Sequence, residues 1–153
     1  MPVTKILVAT DHSEHAQRAE EFAGRLAGPG YTLDVQILYV HPELPRRAGR
    51  AGVAEVYVGP ERLSAEEKAE MHALLSQAAA RIRDAAHGGA IAITEDLVGG
   101  SDIGATIAEE AQRGGVEAIV MGSRGRSDLA GLMLGSTSHK VLHLAHCPVI
   151  VVR

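Results

Sequence analysis

Residues 116–138 read VEAIVMGSRGRSDLAGLMLGSTS, and this stretch decides the fold. Its apolar part, Glu117 to Met121, predicts a buried strand, and Ser136 to Ala145 predicts a helix. Three glycines stand where the strand ends and the helix begins, at Gly122, Gly125 and Gly135. Glycine lets a backbone approach a ligand closely, and the free N–H groups of a helix's first turn carry partial positive charge. The stretch therefore predicts a strand-to-helix connection that cradles a phosphate.

The rest of the chain repeats this alternation of strand and helix. Short apolar runs rich in β-branched residues predict further strands at Lys5–Thr10, Thr32–Val40, Ala90–Val98 and Pro148–Val152. Capping residues predict helix starts at Ser13, at the capping box Ser64 to Glu67, and at Ser101 or Asp102. Right-handed crossovers then place helices on the two sides of a sheet. The predicted fold class is α/β, an open parallel five-stranded sheet with helices on both faces.

Length and composition indicate one domain that spans residues 1–153. Hydrophobic residues make up 46% of the chain, but aromatic residues only 3%, so the core must be built from aliphatic side chains. Residues 41–63 contain repeated prolines and glycines, which predicts a mobile loop.

Charge and cysteine content exclude several function classes. The formal net charge of -4 disfavours nucleic acid as a partner, and we interpret Arg46, Arg47 and Arg50 as part of a solvated loop. The only cysteine, Cys147, excludes an internal disulfide and favours a cytoplasmic location. No apolar run approaches the roughly 18 residues of a membrane span, so we expect no membrane association and no export.

The pattern G-x-x-G, nine residues, then G-[ST], which runs from Gly122 to Ser136, resembles the nucleotide-binding motif of the universal stress protein family, in its ATP-binding branch. The likeness continues through Cys147 to Val152 and reaches back to Ile6 to Glu14. It implies a Rossmann-like sheet of strand order 3-2-1-4-5. It also implies ATP, or AMP or ADP, as the ligand, with Mg²⁺ accompanying the nucleotide. A homodimer through the last strand, Val149 to Val152, is a further implication.

In such a sheet a ligand binds beyond the carboxyl ends of the first and fourth strands. The resemblance places Asp11 at the adenosine end or at the metal, and Val40 near adenine. Arg124 or Arg126 adds charge at the phosphates or is simply exposed, and Asp11 has the alternative role of capping the next helix. Valine at Gly122 is expected to abolish binding and leave the fold intact. The predicted nucleotide-binding residues are Thr10, Asp11, Val40, Met121, Gly122, Ser123, Arg124, Gly125, Gly135, Ser136 and Thr137.

The expected function is a nucleotide-dependent regulatory module of the stress response that acts on an unidentified protein partner. The chain has no G-x-x-x-x-G-K-[ST] loop, so we expect at most slow ATP hydrolysis or autophosphorylation and assign no catalytic residue. Two alternatives stay open. One is an adenylating or ATP-hydrolysing enzyme on the same scaffold, and the other is a nucleotide-free structural or chaperone-like dimer.

Three histidines near the end of the chain recur at helical spacing, at His139, His143 and His146. They have the spacing of a zinc site, but the polar outer stripe of the last helix is the favoured interpretation. On that interpretation Val141, Leu142 and Ala145 mark the buried side of the helix.

Overall fold

A computed structural model describes residues 3–42, 63–125 and 134–153, in which strands and helices alternate. The strands are β1 (Lys5–Ala9), β2 (Thr32–His41), β3 (Ala90–Gly99), β4 (Ala118–Gly122) and β5 (Val149–Val152). The helices are α1 (Glu14–Arg25), α2 (Ala65–Ala85), α3 (Ile103–Gly114) and α4 (Ser136–Leu144). The loop expected at residues 41–63 lies outside the described residues except at its ends, and Arg126 lies outside them too.

The strands form one parallel sheet of order β3-β2-β1-β4-β5, which confirms the predicted fold class and strand order. The central strand β1 pairs with β2 on one side and with β4 on the other, so that Ala9 lies beside both Leu38 and Met121. From β1 the chain first builds β2 and β3 on one side, and then returns to build β4 and β5 on the other side. A crevice therefore opens beyond the carboxyl ends of β1 and β4.

Alternating side chains of β1 supply the two halves of the core. Ile6 and Val8 pack in the cluster that includes α1 and α2, whereas Leu7 and Ala9 pack in the cluster that includes α3 and α4. Because successive side chains of a strand point to opposite faces, a strand covered on both faces must be apolar throughout. This requirement explains the unbroken apolar run at the start of the chain.

Side chains cap three of the helices, as the sequence predicts. Ser13 accepts a hydrogen bond from the Ala16 amide at 3.2 Å and begins α1. Ser64 and Glu67 form the predicted capping box of α2, with bonds of 3.1 and 2.8 Å. The cap of α3 is Asp102, not Ser101. The last helix, α4, has Gly135 as its N-cap residue and therefore no side-chain cap.

Two details of the prediction need correction. Leu142 does not mark the buried side of α4, because its side chain is 46% exposed, whereas Val141 is buried. Adjacent residues of a helix lie about 100° apart, so the two leucines at 142 and 144 fall outside the narrow face that α4 turns to the sheet. Strand β4 also extends to Gly122, one residue further than predicted. No helix in the described ranges is both long and apolar enough to cross a membrane.

Helices α1 and α2 pack closely because α1 carries a glycine where they meet. A Cβ atom at Gly24 would overlap the carbonyl oxygen of Ile82 and come within 2.7 Å of Ala85 Cβ. Alanine normally stabilises a helix interior by about 0.5–1 kcal/mol relative to glycine. Here the neighbouring atom is backbone, so the overlap outweighs that preference.

We therefore expect Gly24→Ala to lower the free energy of unfolding by about 1–3 kcal/mol, measured by urea denaturation. The control is Arg18→Ala on the exposed face of the same helix, which is expected to change stability by less than about 0.5 kcal/mol. A Gly24→Ala protein as stable as the parent would contradict the close packing of α1 on α2.

Candidate functional site

A cavity of about 460 Å³ lies at the carboxyl ends of β1 and β4. Its size falls within the roughly 300–1,000 Å³ typical of small-molecule sites. Every residue predicted for the site lines it except Ser123. The predicted residues that line the cavity are Thr10, Asp11, Val40, Met121, Gly122, Arg124, Gly125, Gly135, Ser136 and Thr137. Residues far apart in the chain, such as Asp11 and Met121, are thus brought to one site.

Ser123 is buried, and its backbone ties the connection together. Its N–H donates to the Val152 carbonyl at 2.7 Å, which joins β4 to the end of β5. Its carbonyl accepts from the Gly135 N–H at 2.7 Å and from Ser138 Oγ at 2.9 Å. These bonds fix the start of α4 against the end of β4, so Ser123 supports the wall of the cavity from behind.

The first turn of α4 lies at the cavity. The first backbone amide to close a helical bond is that of His139, which donates to the Gly135 carbonyl at 3.0 Å. The amides of Ser136 and Thr137 precede it and have no acceptor inside the helix. Both residues line the cavity. An uncapped helix start of this kind attracts anions.

The glycines of the motif serve different purposes. A Cβ atom at Gly122 would lie 2.7 Å from the His15 carbonyl carbon and 2.9 Å from the Ala16 nitrogen, both in the backbone of α1. Valine at this position would push α1 away from β4, so Gly122→Val is expected to lower stability as well as binding. At Gly125 an added Cβ would instead approach the Asp11 carboxylate, 2.6 Å from Oδ2. Gly125 therefore lets the loop after β4 reach the turn after β1.

Asp11 occupies the turn between β1 and α1. Its Oδ1 accepts a hydrogen bond from the Ser13 N–H at 3.0 Å, while Ser13, not Asp11, caps α1. The second carboxylate oxygen lies on the side of Gly125, at the cavity. Asp11 thus shapes the turn and also lines the cavity.

Helix α3 contributes an apolar wall that the sequence analysis missed. Ile103 and Ile107 line the cavity together with Leu38 of β2. Neither isoleucine is among the residues predicted for the site. Their position in the first turns of a helix that follows a strand was the available signal, because such turns lie at the carboxyl edge of a parallel sheet.

The whole length of the chain resembles known proteins. A model of the universal stress protein family matches residues 2–153. The chain belongs to the universal stress protein family. The universal stress protein YxiE of Bacillus subtilis is 36% identical over an alignment of 154 positions, which covers 97% of this chain and 98% of that protein.

Solved structures of this family share the fold and include nucleotide complexes. A universal stress protein of Archaeoglobus fulgidus in complex with dAMP is 25% identical, with a TM-score of 0.65 over 100% of both chains. Another universal stress protein, in complex with cAMP, is 24% identical, with a TM-score of 0.69 over 100% of this chain and 98% of that one. At 24% identity the second likeness concerns the fold alone.

In this universal stress protein His139 and His143 lie on the outer surface of α4, whereas His146 follows the end of that helix at Leu144. The prediction that all three histidines form a stripe on the last helix is therefore wrong for His146. The side chains of His139, His143 and His146 are exposed, and the first two rings meet edge to face with centroids 4.6 Å apart. Within residues 3–42, 63–125 and 134–153, no three His, Cys, Asp or Glu side chains group closely enough to hold a metal ion. Burial raises the pKa of the nearby Cys147 thiol, which disfavours the reactive thiolate.

An ion pair joins the two helices that flank the cavity. Asp102 caps α3 through the Ala105 amide at 3.1 Å and pairs with Lys140 of α4. The stem of Lys140 lies against Gly104, where a Cβ atom would be 2.8 Å from Lys140 Cβ. The hydrogen bond from Lys140, and then that from the Ala105 amide, lower the pKa of Asp102.

A lowered pKa in the folded state means that folding favours the ionised form of Asp102. Its contribution to stability is then present above the ordinary pKa, about 4, and is lost as the pH falls below it. Asp102→Asn keeps a good capping residue but removes the charge. We expect the variant to be less stable than the parent near pH 6 and the difference to shrink towards pH 3, in urea denaturation across that range.

The matched control is Asp84→Asn, an exposed residue near the end of α2. A stability difference for Asp102→Asn that stays constant with pH, or that is also seen with Asp84→Asn, would argue against the ion pair between α3 and α4.

Proposed function

We propose that this universal stress protein binds an adenine nucleotide in the cavity, with ATP as its ligand, and works as a nucleotide-dependent regulatory module of the stress response. The observation that carries the proposal is the pairing, in one cavity, of an apolar wall with an uncapped helix start. The flat face of an adenine base fits the first and a phosphate fits the second. The dAMP complex of the relative from Archaeoglobus fulgidus supports an adenine nucleotide as the class of ligand.

The base occupies the apolar part of the cavity in this proposal. Four aliphatic side chains and one methionine line that part, namely Leu38, Val40, Ile103, Ile107 and Met121. A flat aromatic base gains contact area from such a wall, and the polar backbone at the strand ends supplies hydrogen bonds that select it. Asp11, at the junction of the wall and the glycine loop, is proposed either to accept a hydrogen bond from the ribose or to hold the metal ion of a triphosphate.

The phosphates lie along the start of α4. The amides of Ser136 and Thr137 donate to them, and the hydroxyls of these residues add further donors. Arg124 lines the cavity between the two glycines of the loop and supplies positive charge. The whole glycine motif is present, and this supports the ATP-binding branch of the family over a nucleotide-free structural dimer.

Mg²⁺ is proposed to accompany the triphosphate. Asp11 is the one carboxylate among the described residues that line the cavity. A single carboxylate is enough for this ion when phosphate oxygens and water complete its octahedron. The bound ion would neutralise phosphate charge, while Asp11 would hold it beside the glycine loop.

Slow ATP hydrolysis or autophosphorylation is the most chemistry that we propose. Fast phosphoryl transfer needs a metal-holding carboxylate, a base or water-positioning group, and a cation at the phosphates. The described cavity offers Asp11 for the first two roles together, so an adenylating or ATP-hydrolysing enzyme is the weaker candidate. We further propose a cytoplasmic location and a protein partner that responds to the bound nucleotide, without nucleic acid or membrane.

The phosphate end is tested by adding a negative charge to it. Ser136→Glu favours the helix, because an acidic residue in the first turn suits the helix dipole, but repels a bound phosphate. We expect ATP affinity to fall at least about tenfold, or about 1.4 kcal/mol, dAMP affinity to fall less, and adenosine affinity to remain unchanged. Isothermal titration with the three ligands measures this series.

Ser136→Gln has a side chain of the same length without the charge, and so measures the steric part of the effect. If Ser136→Glu lowers the affinities for ATP and adenosine equally, the phosphates do not bind at the start of α4. If the parent protein binds none of the three ligands, the proposed function is wrong.

A homodimer through β5 completes the proposal. Strand β5 pairs only with β4 among the described strands, and all four of its residues remain partly exposed. The Pro148 and Val152 carbonyls accept from β4, so by alternation the backbone groups of Val149 and Val151 point outward. An apolar edge with free backbone groups invites pairing with a second copy.

Val151→Pro tests this edge, because proline removes an outward N–H and leaves the β4 pairing in place. We expect the variant to sediment as a monomer and the parent as a dimer in analytical ultracentrifugation. Val151→Thr keeps the amide and the branched side chain, and is expected to dimerise. A Val151→Pro protein that remains dimeric would place the interface elsewhere.

A further inference from the structure

A buried chain of polar contacts runs from α2 through α1 to the turn after β1. Arg81 of α2 pairs with Glu20 of α1, and Glu20 also accepts a hydrogen bond from Thr10 Oγ1 at 2.6 Å. Thr10 Oγ1 in turn accepts from the His12 N–H at 3.2 Å. The chain of contacts begins among α1 and α2, on one face of the sheet, and ends beside Asp11.

Glu20 is the centre of this chain and is fully buried. A buried carboxylate costs several kcal/mol unless it is paired and hydrogen-bonded. Arg81 and Thr10 meet this need from two different elements. Because an ion-paired carboxylate only accepts hydrogen bonds, the one hydroxyl proton of Thr10 must point to Glu20. The lone pairs of the hydroxyl are then directed to the His12 amide.

The turn that receives this bond is strained. His12 has a φ of 64°, in the left-handed region that residues other than glycine seldom adopt. Such a conformation is energetically costly and persists only where neighbours hold it. The His12 N–H bond to Thr10 is one such restraint, and the Ser13 N–H bond to Asp11 at 3.0 Å follows directly in the chain.

We propose that Thr10, Glu20 and Arg81 are positioning residues that hold the Asp11 carboxylate in place at the nucleotide site. Thr10 lines the cavity, yet its hydroxyl is directed to Glu20 on the other face of the sheet. Its role is therefore to shape the turn, and Glu20 fixes the orientation in which it does so. This inference rests on the proposed function, since it assigns a purpose to the geometry of the same site.

Thr10→Val tests the chain at its last link, because valine keeps the shape of threonine and removes the acceptor for the His12 amide. We expect the affinities for dAMP and ATP to fall by the same factor, about five- to tenfold, in isothermal titration. The His12 and Ser13 amides are expected to exchange with deuterium faster, while the Leu7 amide in the centre of β1 keeps its protection. Glu20→Met, which removes the central carboxylate, is expected to act in the same direction.

Two controls separate positioning from a general loss of stability. Thr106→Val removes a buried hydroxyl of the same kind, bonded at 2.8 Å to the Asp102 carbonyl, and Thr106 does not line the cavity. Glu21→Met changes the exposed neighbour of Glu20. Both are expected to bind the nucleotides as the parent does. If Glu20→Met does not fold, the affinities and the amide exchange of Thr10→Val alone test the proposal.

The outcomes are distinct. Weaker binding of both nucleotides together with faster exchange at His12 supports the proposal. Unchanged affinity in Thr10→Val, or an equal loss in Thr106→Val, overturns it. A parent protein that binds neither nucleotide overturns the proposed function instead, and the exchange of the His12 amide still reports whether Thr10 holds the turn.

Discussion

The double pairing of β1 is the constraint on which the rest of the structure depends. Because β1 lies between β2 and β4 in a parallel sheet, the carboxyl ends of all three strands meet at one edge. The turn after β1 and the loop after β4 must then face each other across the crevice. The approach of Gly125 to Asp11 is the direct result, and the helices that follow the strands surround the space that remains.

Close backbone contacts keep this edge in place. Gly122 lets β4 pack directly against the start of α1, and the backbone of Ser123 links β4 to β5 and to α4. Positive φ is not the reason for glycine at 122, since this residue is not among those in the left-handed region. A motif that looks like a ligand cradle in the sequence is thus partly a packing device, and one of its described positions, Ser123, does not line the cavity.

The site also depends on parts of the protein that lie behind it. The helix start that faces the cavity is held by Ser138 and Gly135 through the Ser123 carbonyl. The α3 wall is joined to α4 by Asp102 and Lys140. On the opposite face of the sheet, Glu20 and Arg81 reach the Asp11 turn through Thr10. A nucleotide bound in the cavity would therefore contact elements whose geometry is set by both layers of helices.

The sequence by itself determined the elements, their caps, the α/β class and the glycine motif, because periodicity, capping and backbone freedom are local properties of the chain. The strand order came from the family resemblance. Local patterns do not say what a buried face packs against, so only the tertiary structure decided that Ile103 and Ile107 wall the cavity and that Ser123 supports it from behind. The direction of the Thr10 hydroxyl was decided in the same way, since Glu20 and Arg81 meet it only when the helices pack on the sheet.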